Sequence, residues 1–348
     1  MDPEKQPFRV CIIGAGLSGL VCGMRLSKKG AKVTIVEELT YPGGLLASTR
    51  TGRENLELIP HHLRKTDRAL LSLIKEVGLD DKVEWYDSLW YGKASHKKVG
   101  YFGDGFSVLI NRLIQDITDN GGNIHYSTTV CEISAGPDSY TTSCVLTDSG
   151  KLDIESDYVI FTGSCRSFVS ISHGLPIPLN IKDQLMNITY KASVSLMMVM
   201  KTKHTDVYIR QMKDPVPIKR IVNHTNCFGT RGYGGNVVYL VGEVNISDPL
   251  WIASDEEIMA AYVAALRKTY PSIKKSNIKS WRITKVRYAT SEKYPDQDLT
   301  NPLEGLYVCS ESLSKFGVTD TPENRMDPVV SLANTICRKI SEKETKPS

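Results

Sequence analysis

The chain has 348 residues, 41% of them hydrophobic and 24% charged, and its 43 basic and 39 acidic side chains leave a net charge of +4. That is an ordinary globular composition, long enough for one large α/β unit or two interleaved domains, and its near-neutrality offers no electrostatic argument for a nucleic-acid or membrane-surface partner. No apolar run approaches the ~20 residues that span a bilayer, so no integral membrane segment is expected; Ala192 to Met200 is strand-sized and interrupted by serines.

Met1 to Phe8 is polar and charged, without the apolar stretch of a secretory signal, and the expected location is cytoplasmic. Arg9 to Ile13 reads as a buried strand. A glycine turn and a helix from Leu17 to Lys28 follow, with Leu17, Leu20, Val21 and Met24 at helical spacing. Gly30 ends that helix, and Ala31 to Val36 is a second strand, completing a βαβ unit. Thr66 is placed to N-cap a helix carrying Leu70, Leu71, Leu73, Ile74 and Val77, stopped by Gly78. A helix from Phe106 to Thr118 precedes the Gly121-Gly122 break, and His125 to Ile133 and Asp157 to Thr162 read as strands. Ser193 to Met200, Val207 to Arg210 and Val237 to Val241 have the pattern of antiparallel strands between turn residues. Ser254-x-x-Glu257 is a capping box before a helix holding Ile258, Ala261, Ala265 and Leu266. Gly305 to Cys309 is a final strand and Asp327 to Ser341 a final helix. None of the eight cysteines forms a Cys-x-x-Cys pair, so free thiols in a reducing compartment are expected and no metal site.

The chemistry concentrates in Gly14-Ala15-Gly16-Leu17-Ser18-Gly19, between the first strand and first helix. Gly14 allows a tight turn, Gly16 lets the backbone approach a pyrophosphate, and Gly19 lets the helix pack close to the strand. The helix N-terminus, with Leu17 and Ser18, offers unsatisfied N–H groups to phosphate oxygens. Glu37, next to Glu38, ends the second strand where an acidic side chain accepts hydrogen bonds from ribose hydroxyls; it would repel a 2′-phosphate, which disfavours NADP.

Tyr41-Pro42-Gly43-Gly44-Leu45-Leu46, with Ser48 soon after, resembles the second glycine segment of the FAD-dependent amine oxidase, phytoene desaturase and protoporphyrinogen oxidase superfamily. The resemblance continues through Glu57 to His62, Phe102-Gly103-Asp104-Gly105, Thr129-Val130, and Asp157 to Gly163. It ends with Gly305-Leu306-Tyr307-Val308-Cys309-Ser310-Glu311 and Met326-Asp327-Pro328-Val329-Val330. It implies non-covalently bound FAD held by Gly14, Gly16, Leu17, Ser18, Gly19, Glu37, Glu38, Gly43, Gly44, Leu45 and Leu46. The adenine would meet the backbone at Val130, with Thr162 and Gly163 near the cofactor. Glu311 would meet the ribityl chain, and Met326, Asp327 and Val329 the flavin edge. Leu45 departs from the family's usual Arg after Gly-Gly, and Ser310-Glu311 replaces Gly-Asp. Phe316 is the one aromatic residue in the loop where amine oxidases place an aromatic cage, which counts against a simple amine oxidase.

Fewer signals mark the substrate. His62 follows the Gly-Gly segment and His224 lies in the polar cluster Asn223 to Asn226; with Lys285 they are the candidate catalytic groups. Asn223, Arg231 and Tyr233 are the candidate substrate contacts, Arg231 for a carboxylate or phosphate. For each, a local structural hydrogen bond or a solvated charge is the competing explanation.

The expected fold class is α/β. A split Rossmann-like FAD-binding domain of glutathione-reductase type (residues 1–60, 95–165 and 295–348) surrounds an inserted α+β substrate domain (61–94 and 166–294) containing an antiparallel sheet. The expected function is an FAD-dependent oxidoreductase whose flavin accepts a hydride from a small-molecule substrate. Alternatives are a non-redox flavoenzyme resembling UDP-galactopyranose mutase, acting on a nucleotide sugar, and a flavin-binding protein without catalysis. A plain NAD dehydrogenase is opposed by Gly43-Gly44 and by the Glu311 strand.

Overall fold

The computed structural model describes residues 6–91, 96–212, 217–292, 295–314 and 325–345. Phe316, named above, lies outside them.

Short apolar runs rich in Val and Ile form a five-stranded parallel sheet in the order Leu306–Val308, Tyr158–Phe161, Arg9–Ile13, Lys32–Val36, Asn123–His125. Side chains alternate across each strand, so Val10 and Ile12 enter one core while Cys11 and Ile13 enter another. On the first face pack the helices Leu17–Ser27, Ser107–Asp119 and Met326–Thr345, through Leu20 and Met24, Leu109 and Leu113, and Val330, Ala333 and Ile336. On the second lies an antiparallel sheet of Thr128–Ala135, Tyr140–Leu146 and Lys151–Ser156, carrying Ile133 and Cys144.

A second five-stranded sheet is antiparallel, in the order Ile209–Gln211, Arg220–Val222, Asn236–Val244, Tyr190–Met200, Ile278–Ser291. One face receives the helix Asp255–Thr269, whose Ile258, Tyr262 and Leu266 pack on Val194, Leu196, Met198 and Leu240. The opposite face presents Met197, Val222, Tyr239 and Val241 to the core shared with the helices of the parallel sheet, so it is the inner face of the molecule.

Two local expectations change, and one expected boundary falls between paired strands. The single strand His125 to Ile133 breaks into two, because Ser127 adopts φ 53° and redirects the chain. The helix expected to start at Thr66 is Arg68–Glu76, with Asp67 at the N-cap position. Asp67 turns its carboxylate back onto Arg64, and the helix instead receives Asp327, whose Oδ1 accepts from the Leu70 amide at 2.8 Å. The expected domain boundary between 94 and 95 divides an antiparallel pair, Val83–Leu89 with His96–Phe102.

Candidate cofactor and substrate site

Two glycine segments meet at the C-terminal end of the parallel strands. Gly14 has φ 105°, and a Cβ there would lie 2.4 Å from Thr162 Oγ1, which itself donates to the Ile13 carbonyl at 2.8 Å. A Cβ on Gly19 would fall 1.9 Å from the Gly14 carbonyl oxygen, so only glycine lets the helix start this close to the strand. Gly43, at φ 111°, donates its amide to the Ala15 carbonyl at 2.9 Å and bridges Gly16. A Cβ on Gly44 would stand 3.2 Å from Gly16 Cα. The two glycine segments are therefore in contact, and bare backbone lines both sides.

Glu37 joins this cradle from the neighbouring strand. Its Oε2 accepts from the Ala15 amide at 2.8 Å and its Oε1 from the Leu39 amide at 3.0 Å. Burial pushes its pKa up, opposed by those two amides. Each oxygen keeps a further lone pair, so the carboxylate can still accept from a diol. Leu17 and Ser18 are buried in the first turn of a helix whose N-cap, Gly16, gives no side-chain cap, leaving the leading amides to an anion. Glu38 is exposed, Leu45 half-buried, and Leu46 is buried in the core.

Val130 is half-buried on the three-stranded sheet, opposite Cys144, and Gly163 is exposed just beyond Thr162. Glu311 is held by Arg325, Nη1 to Oε1 at 2.5 Å, with Ser291 Oγ donating to Oε2 at 3.3 Å. Arg325 precedes the helix Met326–Thr345, in whose first turn Met326 and Val329 are buried. One oxygen of the Asp327 carboxylate, Oδ1, is engaged by the Leu70 amide.

The substrate candidates separate. His62 is buried, its Nδ1 3.3 Å from Tyr208 Oη and its ring edge-on to Trp90 and Tyr208. His224 sits in a cage of Tyr101, Phe228, Tyr233 and Tyr239, with Nε2 3.3 Å from Tyr233 Oη. Burial lowers its pKa to about 3, assisted by the Arg231 charge, so the ring is neutral near pH 7.

Lys285 corrects the expectation of a catalytic lysine. It is paired with Val194 and so points to the outer face, where its Nζ donates to the carbonyls of Trp251 and Ala253 at 3.0 and 2.7 Å. A cation on the last carbonyls of the short helix Pro249–Ile252 is a helix-end interaction. Asn223, Arg231 and Tyr233 also turn inward. The Asn223 amide groups donate to the Tyr208 and Val207 carbonyls. Arg231, at φ 40°, donates to the carbonyls of Phe228 and Gly103, to Glu84, and to Tyr86 Oη at 2.5 Å. The Arg231 bonds tie the loop after His224–Phe228 to the Val83–Leu89 strand, and the Asn223 bonds hold the backbone at Val207 and Tyr208, while the Tyr233 hydroxyl meets His224.

Sequence reasoning passed over Glu57. It is fully buried and accepts from Tyr101 Oη and the Phe106 amide, each at 2.5 Å, while Tyr239 Oη donates to its carbonyl at 2.6 Å. Desolvation raises its pKa to about 7 against the pull of the two donors. It also passed over Ser193, Ser195 and Arg220 on the inner sheet face. The Ser-x-Ser alternation inside an apolar strand was the available signal, because period two puts both hydroxyls on one face.

Two families match the chain. Residues 12–77 match the NAD(P)-binding Rossmann-like domain, and residues 84–321 match Flavin containing amine oxidoreductase. Among curated proteins, the chain is 43% identical over 72 residues to phytoene desaturase (neurosporene-forming) of Rhodobacter capsulatus, which is 21% of this chain and 14% of the desaturase. It is 29% identical over 128 residues to L-amino-acid oxidase of Sistrurus catenatus edwardsii, 36% of this chain and 22% of the oxidase. The matched segments thus span less than a quarter of those relatives. Among solved structures, the Exiguobacterium sp. 255-15 protein assigned as a protoporphyrinogen oxidase superposes with TM-score 0.79 at 13% identity, covering 97% of this chain and 99% of that one. A putrescine oxidase with redesigned cofactor binding gives 0.70 at 13% identity, covering 97% and 100%. At such identities the superpositions establish the fold.

Proposed function

The chain belongs to the Flavin containing amine oxidoreductase family, and from that premise we propose that it is an FAD-dependent oxidoreductase acting on a small-molecule substrate. The observation that carries this reading is the contact between the two glycine segments beside the anchored Glu37 carboxylate. Side chains at Gly14, Gly19 or Gly44 would strain or fill this cradle, so the residues fit an extended dinucleotide.

In this reading the amides after Gly14 and the first helix turn hold the pyrophosphate, favoured by the helix's partial positive charge. Glu37 accepts from the ribose hydroxyls, the backbone at Val130 meets the adenine, and Gly43-Gly44 admits the chain toward the ring. Glu311, fixed by Arg325, meets the ribityl hydroxyls. The amides opening the helix at Met326 favour negative charge at the ring edge they face. FAD, when bound, supplies a two-electron acceptor for a hydride from substrate. The inner face of the antiparallel sheet forms the opposite wall, and the buried His62–Tyr208 pair is the candidate proton-handling group on that side. Binding is taken as non-covalent. The cytoplasm is the compartment favoured, supported by eight free cysteines, seven of them buried.

A mutase acting on a nucleotide sugar depended on Arg231 for the diphosphate, and Arg231 is committed to Glu84, Tyr86 and two carbonyls. The redox reading is tested by anaerobic titration of the purified flavoprotein with a panel of amines, amino acids and nucleotide sugars. Loss of the oxidised-flavin absorbance with one of them, restored by air, is the expected result. A flavoprotein bleached by dithionite but by none of the panel, yet converting a nucleotide sugar when reduced, would overturn it.

A further inference from the structure

Among the described residues Glu57 is the most deeply buried acidic side chain, 0% exposed. Asp67 and Asp116 lie nearly as deep, and each meets a cation, Arg64 for the first and Lys28 and Arg112 for the second. Glu57 has only the Tyr101 hydroxyl and the Phe106 amide on its two oxygens, and no lysine or arginine pairs with it among the described residues. A carboxylate desolvated without a cation is held at high cost. The groups that face it add to that cost. The Asp104 carboxylate, held by two Asn55 donors, repels it. Tyr233 and Tyr239 turn toward it hydroxyls that burial keeps protonated, and Glu54 and the Arg231 charge act on Tyr233. Desolvation accordingly raises the Glu57 pKa to about 7. From Tyr101 the hydrogen bonds continue to Tyr233 and on to Nε2 of the neutral His224 at 3.3 Å, a buried route along which a proton can be handed on.

Glu57 is also tied to the cofactor cradle. It stands opposite Ser48 in a two-stranded hairpin. The Leu58 amide donates to the Ala47 carbonyl at 2.9 Å, and the Ala47 amide to the Gly44 carbonyl at 3.1 Å. Four residues, at most ~14 Å of chain, run from Gly44 to Ser48. We propose that Glu57 is a redox-linked proton site, whose carboxylate takes up a proton when the flavin accepts a hydride and returns it on reoxidation. The balance is simple. A hydride adds two electrons, one proton and one net negative charge to the flavin, and the carboxylate becomes a carboxylic acid by binding one proton from solvent. One added negative charge ~12 Å away, at an effective dielectric constant of about 20, strengthens proton binding by about tenfold. Uptake is therefore greatest just above neutral pH, where the carboxylate is mostly ionised beside the oxidised flavin and mostly protonated beside the reduced one.

This inference rests on the FAD reading of the glycine cradle. The test is the reduction potential of the purified holoprotein from pH 6 to 9, for the parent, Glu57→Gln and Tyr101→Phe. The slope of potential against pH counts protons taken up per two electrons. Near pH 7.5 the parent is expected to take up about half a proton more than Glu57→Gln. Tyr101→Phe, which strips a donor from the carboxylate, is expected to move that window up by about one pH unit. The reduced-minus-oxidised infrared spectrum of the parent should show a protonated-carboxyl band appearing on reduction, absent from Glu57→Gln. If Glu57→Gln does not fold, the parent's band and its shift in Tyr101→Phe decide alone. Equal proton counts in a flavin-loaded parent and Glu57→Gln, or no carboxyl band in the parent, would overturn the proton site and leave the flavoprotein reading intact. A protein that takes up no FAD would overturn both.

Discussion

The Glu37 carboxylate accepts a hydrogen bond from the Ala15 amide at 2.8 Å, reaching from the end of the second strand into the glycine turn that follows the first. One acidic side chain thereby shapes the turn and stands ready for a ribose. Glu37→Ala removes both roles. The expected outcome is FAD binding weakened by about a hundredfold, from the loss of charge-assisted hydrogen bonds. Fluorescence titration of the apoprotein measures it; unchanged affinity would show that the acid serves only the loop.

Gly14→Ala tests the turn itself. At φ 105° with Thr162 Oγ1 2.4 Å from the new Cβ, alanine is expected to cost about 1–3 kcal/mol of stability and to yield protein largely free of flavin. Thermal melts and the flavin-to-protein absorbance ratio check the two effects separately.

Lys285→Met is expected to retain flavin and any substrate-dependent reduction at rates within about twofold of the parent. It should lose about 1 kcal/mol of stability, because the lysine serves the carbonyls of Trp251 and Ala253. A loss of reduction with flavin retained would return Lys285 to the chemistry.

Glu57 and His224 link stability to pH with opposite signs. Glu57 has a folded pKa raised to about 7 by burial. Its contribution is therefore best below the ordinary carboxylate range and is lost as pH rises through 7, by about 3 kcal/mol. His224, depressed to about 3, contributes stability that is present above its ordinary value of 6.5 and lost as pH falls toward 3. Glu57→Gln is expected to remove the alkaline decline, raising the melting temperature at pH 8 relative to the parent. His224→Asn should flatten the acid decline. Melting curves from pH 4 to 9 decide both.

The cofactor half of the fold was legible because its signals are local. Gly14, Gly16, Gly19 and Glu37 lie within one βαβ unit, and the Ser254–Glu257 capping box formed as its spacing requires, with both reciprocal bonds present. The substrate half was not, because its polar residues are satisfied by distant partners. Arg231 meets Glu84, 147 positions away, and Asp327 meets Leu70, 257 away. Nothing near them in sequence announces those bonds. Ser193 and Ser195 were readable in principle, since alternation alone sets their face, but their cross-strand partners Glu243 and Val241 come from a distant segment that the strand itself does not announce.

The most direct test of the account is the absorbance spectrum of the purified protein, followed by heat release and mass identification of whatever is freed. Oxidised-flavin bands and the mass of FAD in the released fraction are the predicted result. A colourless protein that cannot be reconstituted with FAD, yet binds NAD, would contradict the central claim.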